Sequence, residues 1–313
     1  QDSQAASAKD AVIQSPTALA FQILGDRWTL KILKQLFTGA KRFDELLKGT
    51  QAPRGTLSHR LSEMIGVGLI YKNPLHSVAS GHEYRLTDKG LDLYPTALLF
   101  WKWELTWGQG GNTLPSELIH KGCGHSIKPI FKCKACDNEV YAVDCIFKLD
   151  QIPQKSPKSL ANLENRRRSS TGNKGQKISG FQSISILGDK WSGLILGAIW
   201  FRYRRYDEIV QALGISTNIL ASRLRFLTEQ EVLYRDTSAR TPSRPHYRLT
   251  AKGRDLYGIT MLLDQWGRHW IDEATPSSIT VTHKCEQQLN PTIVCDQCND
   301  VLRQGELSTA TSP

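Results

Sequence analysis

The sequence predicts a mainly α fold with small β hairpins (α+β), built twice in tandem, with a small Cys/His module after each copy. Three observations carry that reading. The phrase ILGDRW at 23–28 returns as ILGDKW at 186–191, 163 positions later. The same offset aligns KRFDEL (41–46) with RRYDEI (204–209), LSHRL (57–61) with LASRL (220–224), and YRLTDKGLDLY (84–94) with YRLTAKGRDLY (247–257). After each copy, a Cys is followed ten positions later by a C-x-x-C pair, in HKGCGHSIKPIFKCKAC (120–136) and HKCEQQLNPTIVCDQC (283–298). One register held from Ile23 to His120, which falls on His283, marks a tandem duplication.

Within each copy the order reads helix, helix, helix, two strands, helix. WTLKILKQLF and WSGLILGAIW carry apolar residues at helical spacing, and RFDELLKG or RYDEIVQAL forms a second short helix. The third helix starts near Pro53 or Ser216, the latter well suited to an N-cap. Leu57, Leu61 and Met64, or Leu220, Leu224 and Leu227, give it a core stripe. Its opposite face then carries Arg54, Gly55, Ser58, His59 and Ser62 in the first copy, and Thr217, Asn218, Ala221, Ser222 and Arg225 in the second. Two β-rich runs follow, LIYKNPLH with HEYRLT and VLYRDT with HYRLT, around a polar loop holding His76 and His82 or Arg240 and Arg244. Thr87 or Thr250 is expected to cap a long amphipathic helix that ends in Trp103 and Trp107, or Trp266 and Trp270.

Three helices closed by a two-stranded wing make a winged helix-turn-helix, whose third helix enters the major groove and offers its outward side chains to base edges and phosphates. The expected DNA contacts are Arg54, Ser58, His59, Arg60, Ser62, Thr217, Asn218, Ser222, Arg223, Arg225, Arg240 and Arg244. Arg60 and Arg223 share one slot, which suits a phosphate contact or a structural ion pair equally. The two recognition faces differ, so an operator read by both would have dissimilar half-sites. The motif order ILGD[RK]W, R[FY]DE[LI], LxxRL and YRLTxKG resembles the HxlR family of winged helix-turn-helix transcriptional regulators, over about 20–108 and 183–272. That resemblance implies a dimeric DNA-binding regulator, in many members responsive to reactive small molecules. Here two copies in one chain could pack as an internal pseudo-dimer, or two chains could pair as a homodimer; no particular effector is implied.

In the cysteine modules, three thiolates and one imidazole would complete a closed tetrahedral zinc site. Because His120 and His283 recur while His125 faces Gln287, the grouping expected within each module is His120 with Cys123, Cys133 and Cys136, and His283 with Cys285, Cys295 and Cys298, two zinc ions per chain. A structural staple is preferred over a thiol switch. The family's oxidant sensors use a cysteine just ahead of the winged helix, and residues 1–22 and 146–190 hold none. Cys145 is left spare and free to react.

The expected boundaries are a flexible N-terminus over 1–19, a winged domain over 20–112, a zinc module over 113–148, a basic flexible linker over 149–180, a second winged domain over 181–274, a second zinc module over 275–304 and a flexible tail over 305–313. Forty Lys+Arg against thirty Asp+Glu, a net charge of +10, favour a polyanionic partner, and RRRSS at 166–170 suits nonspecific grip on DNA phosphate. No apolar run approaches the roughly 18–20 residues that cross a bilayer, so a cytoplasmic protein without a membrane partner is expected. The tryptophan pairs are read as core or dimer seam ahead of an effector pocket. An enzyme is not expected, for no G-x-S-x-G, H-E-x-x-H or Walker A phrase occurs. The sequence therefore predicts a DNA-binding transcriptional regulator, by preference a repressor, acting on double-stranded DNA. Two alternatives are a redox- or metal-responsive regulator working through the Cys clusters and a winged-helix scaffold for a protein partner.

Overall fold

A computed structural model describes residues 15–74, 81–108, 114–149, 181–237, 245–271 and 279–309. The first copy comprises α1 (Pro16–Leu24), α2 (Arg27–Phe37), α3 (Phe43–Thr50), α4 (Arg54–Gly66), the hairpin β1 (Ile70–Pro74) with β2 (His82–Leu86), and then α5 (Asp88–Leu91) and α6 (Tyr94–Trp107). Helix α1 starts inside the stretch expected to be flexible. Ser15 caps it by accepting from the Ala18 amide, and proline follows at its first position. Its side chains Ala18, Leu19, Ala20, Phe21 and Leu24 are buried around the whole helix, so it shows no polar face for a periodicity reading to find.

Asp26 caps α2 through the amides of Trp28 (2.9 Å) and Thr29 (3.1 Å). Glu45 reaches back from α3 to the amides of Lys41 and Arg42, the reciprocal half of a capping box. Thr87 caps the one-turn helix α5 rather than the long α6, and its hydroxyl also donates to the Gly68 carbonyl at 2.6 Å. The chain thus turns twice, not once, before the tryptophan-bearing helix.

The second copy repeats this plan as α7 (Gln182–Leu187), α8 (Lys190–Trp200), α9 (Tyr206–Leu213), α10 (Thr217–Glu229), β7 (Leu233–Asp236) paired with β8 (His246–Leu249), α11 (Ala251–Arg254) and α12 (Tyr257–Trp270). Between the copies lie β3 (Leu118–His120), β4 (Ser126–Ile127), β5 (Pro129–Cys133) and β6 (Cys145–Leu149); after the second come β9 (Ile279–His283), β10 (Pro291–Cys295) and β11 (Leu307–Thr309).

The two copies pack as an internal pseudo-dimer. Trp103 donates its indole N–H to the Lys252 carbonyl (3.0 Å) and Trp266 donates to the Lys89 carbonyl (2.8 Å); Trp107 donates to Asp255 (2.7 Å) and Trp270 to Asp92 (2.8 Å). Each bond is the image of another at the 163-residue offset, which is the reciprocity of an isologous interface. The pseudo-axis runs through the repeated phrase, where Asp26 and Asp189, counterparts of each other, form an antiparallel bridge. Glycine is needed there: a Cβ on Gly25 would sit 3.1 Å from the Lys190 Cα, and one on Gly188 would sit 2.9 Å from the Arg27 Cα. The seam reading of the tryptophans holds.

The cysteine-rich segments are one interleaved unit rather than two successive modules. Antiparallel pairing joins β5 to β10, β6 to β9 and β3 to β11, so three of the four strand pairs in this unit cross between copies; β3 with β4 is local. This corrects the expected boundary at 305. Leu307–Thr309 is strand rather than flexible tail, pairing with Leu118–His120.

Candidate nucleic-acid interface and metal centres

Helices α4 and α10 bury the predicted stripes, Leu57, Leu61 and Met64 in one and Leu220, Leu224 and Leu227 in the other. The opposite faces are open. Arg54, Ser58, His59 and Ser62 are exposed on α4; Thr217, Asn218 and Arg225 are exposed on α10, with Ser222 half-buried. Arg54 leans on the Phe43 ring (4.9 Å to its centre) with Asp44 3.8 Å away, and His59 lies 3.6 Å from Glu63. Both contacts are solvent-exposed and easily exchanged for another partner. Ser216 occupies the N-cap position of α10 without a side-chain cap bond; the start of that helix is held instead by Tyr206, which donates to the Thr217 carbonyl at 2.7 Å.

Arg60 and Arg223 separate from this group. Arg60 pairs with Asp26 (3.2 Å) and Glu63 (2.5 Å), and Arg223 pairs with Asp189 (2.7 Å). Only 17% and 20% of these side chains is exposed, so of the two roles open to this slot the ion pair is the one formed. The aspartate of the repeated phrase therefore caps α2 or α8 and anchors the third helix as well. Sequence reasoning missed this linkage, although the recurrence of Asp and Arg at matching positions was its signal.

The wings are two-stranded hairpins whose bases are fixed by Ile70 opposite Leu86 and Leu233 opposite Leu249. A backbone bond from Tyr84 to the Lys41 carbonyl, and from Tyr247 to the Arg204 carbonyl, ties each hairpin to the segment before α3 or α9. His82 and His246 sit in strands β2 and β8. His76, Arg240 and Arg244 lie outside the described residues, as does the basic run at 166–170.

The eight predicted metal ligands do come together, but in a different grouping. His120 and Cys123 join Cys295 and Cys298, whereas Cys133 and Cys136 join His283 and Cys285, with all donor atoms of each set within 4.8 Å of one another. The expected sets confined to single modules are therefore corrected: each cluster takes two ligands from each side of the duplication. Strand pairing is the cause, since Cys133 lies opposite Pro291 and Cys295 opposite Pro129 on β5 and β10. That places each C-x-x-C knuckle beside the other module's His and first Cys.

The donor spacing fits a tetrahedral ion. Metal–sulfur bonds of about 2.3 Å and metal–nitrogen bonds of about 2.0 Å imply edges of about 3.8 Å between sulfurs and about 3.5 Å from sulfur to nitrogen. Cys123 Sγ lies 3.9 Å from Cys295 Sγ, and His120 Nδ1 lies 3.5 Å from Cys123 Sγ and 3.3 Å from Cys298 Sγ. In the second cluster His283 Nδ1 is 3.4 Å from both Cys136 and Cys285. The knuckles turn tightly, with Asp137 and Asn299 in the left-handed region and the Gln297 amide directed at Cys295 Sγ. Two Cys/His clusters able to hold metal are thus present. The spare Cys145 is buried, and burial pushes its thiol above the ordinary range, so it lacks the thiolate character of a reactive cysteine.

The HxlR-like helix-turn-helix family matches residues 23–111 and again 186–275. The chain belongs to that family. An uncharacterized HTH-type transcriptional regulator of Mycobacterium tuberculosis is 37% identical over 123 residues, 39% of this chain and 78% of the relative. A Synechocystis HTH-type regulator, also uncharacterized, is 33% identical over 91 residues (29% of this chain, 67% of the relative), and the HTH-type transcriptional regulator YodB of Bacillus subtilis is 33% identical over 91 residues (29% and 81%). Each match is about one copy long, which agrees with the family appearing twice here. These HxlR-like relatives are transcriptional regulators, not enzymes. No described helix of this family member is long and apolar enough to cross a membrane.

Proposed function

We propose that this HxlR-like chain is a sequence-specific transcriptional regulator, a repressor by preference, that binds an operator with dissimilar half-sites as a self-contained pseudo-dimer. The observation that carries the reading is a pair of outward third-helix faces of unlike composition, Arg54, Ser58, His59 and Ser62 against Thr217, Asn218, Ser222 and Arg225, related by one reciprocal interface. Arginine suits bidentate contact with guanine and Asn218 with adenine. The wings, including Arg240 and Arg244, and the basic segment at 149–180 supply backbone contacts. A transcriptional regulator of this kind works in the cytoplasm.

Both metal clusters hold zinc in this reading, for four-coordinate Cys₃His sets are closed structural sites without an open position for chemistry. His120, Cys123, Cys295 and Cys298 would hold one ion and Cys133, Cys136, His283 and Cys285 the other, each contributing folding free energy and none a reaction step.

The test is selection of a randomised duplex pool by the purified chain, with metal determined in the same sample. Enrichment of a two-part asymmetric site by protein carrying about two zinc ions supports the proposal. Retention of DNA without any enriched sequence, at intact zinc content, overturns it in favour of a nonspecific or protein-binding platform.

A further inference from the structure

The pseudo-dimer contains two equivalent spaces under its short N-terminal helices, and they differ in kind. One, walled by α2 and α6 of the first copy, α7 of the second and strand β11, is a half-open cavity of about 440 Å³. Its counterpart, against α8, α12 and α1, closes to about 20 Å³. Substitutions at matching positions explain the difference. The closed side carries Trp200 where the open side has Phe37, Phe201 where it has Thr38, and Phe21 where it has Ile184; Phe147 from β6 fills it further.

Polarity changes with size. Lys34, Thr96, Glu104 and Ser183 line the open cavity, and the matching residues in the other half are Gly197, Ile259, Gly267 and Ala20. Gly267 lets α1 lie directly on α12, where a Cβ would come within 2.4 Å of the Pro16 carbonyl oxygen. On the open side Glu104 stands in that place and accepts from both the amide and the hydroxyl of Ser183, holding α7 at side-chain distance. Thr96 is 4% exposed and its hydroxyl has no hydrogen-bond partner, a cost that a folded protein rarely leaves in place. Lys34 is half-buried with its ammonium 3.9 Å from the centre of the Phe181 ring, and among the described residues no carboxylate comes within ion-pair distance of it.

We propose that this cavity binds a small aromatic carboxylic acid, its ring among Phe37, Phe100 and Phe181 and its carboxylate on Lys34. The volume and the apolar walls match a ligand of one or two rings, since small-molecule sites are concave, mainly apolar and fitted with few polar groups. Lys34, with Lys31 beside it and no described carboxylate within ion-pair distance, favours an anion even though burial lowers its own pKa. Glu104, the carboxylate whose charge reaches Lys34, is turned to the amide and hydroxyl of Ser183, and burial raises its pKa. Because the walls come from both copies, a bound acid touches both and stabilises their association by mass action. The cavity lies apart from the exposed faces of α4 and α10, so its ligand binding is read independently of DNA binding.

The experiment is calorimetric titration of the full chain with sodium 2-naphthoate, and in parallel with 2-naphthylmethylammonium chloride. One naphthoate per chain is expected, with the ammonium compound at least about tenfold weaker. Lys34→Met should weaken naphthoate by about tenfold or more, as loss of a charge-assisted hydrogen bond does. Ile184→Phe, which installs the ring that Phe21 provides in the closed half, should abolish binding while the helical circular dichroism is kept; if that variant misfolds, Phe37→Trp makes the same test. Absence of naphthoate binding, equal affinity for the ammonium compound, or binding unchanged by both the lysine and the filling variants overturns the proposal.

Discussion

Asp26 and Asp189 concentrate three tasks in one residue: the carboxylate of each caps a helix and pairs with an arginine of the third helix, and their backbones meet on the pseudo-axis. Asp26→Ala is expected to cost about 1–2 kcal/mol, a lost N-cap plus a weakened ion pair, read as a lower thermal midpoint. Arg60→Ala should likewise lower the midpoint while leaving the salt dependence of DNA binding unchanged. Arg54→Ala and Arg225→Ala should do the reverse, each weakening binding by about 1–3 kcal/mol and relaxing preference in its own half-site only, as selection on each variant would show. Glu104 adds a pH dependence. Burial holds its pKa above the usual 4.5, so the folded state binds the proton more tightly than the unfolded chain. Stability from this group is therefore present at acidic pH and lost as pH rises through 4.5 and the raised folded value. Glu104→Gln should flatten that part of the profile in denaturant titrations from acidic to neutral pH.

At the scale of elements, strand exchange decides which cysteines share a cluster. Two double variants separate the interleaved grouping from one confined to each module. Cys123→Ser with Cys298→Ser damages a single cluster, so about one zinc per chain should remain; Cys123→Ser with Cys133→Ser damages both, and about none should remain. Elemental analysis of the purified variants reads the result directly, and the opposite pattern would mean that the strands pair within modules. The short helices α1 and α7 show a related limit of local signals. A helix buried on every side has no stripe, and α7 has only six residues, so its existence depends on packing more than propensity.

For the whole molecule, the four reciprocal tryptophan bonds and the shared Cys/His clusters make one chain the counterpart of a dimer. Light scattering of the protein–operator complex should give one chain per operator. If about six to ten phosphates are neutralised, affinity should fall steeply between low and moderate salt, and a shallow slope would contradict the major-groove geometry. Trp103→Phe with Trp266→Phe removes two indole bonds at the seam, each worth about 1 kcal/mol, and should lower the melting midpoint without altering the isolated helix-turn-helix surfaces.

The duplication, the order of helices and wings, the buried stripes of the third helices and the eight Cys and His residues that gather into two clusters were all legible in the amino-acid sequence. Each of these follows from local periodicity, or from comparing one half of the chain with the other. Tertiary packing set which of those residues share a cluster, turned Arg60 and Arg223 toward aspartates, made 307–309 a strand, and left one half of the pseudo-dimer hollow while the other is filled. Those outcomes depend on which backbones meet across the pseudo-axis. Residues far apart in the chain carry no mark of their partners until strand pairing and helix packing bring them together.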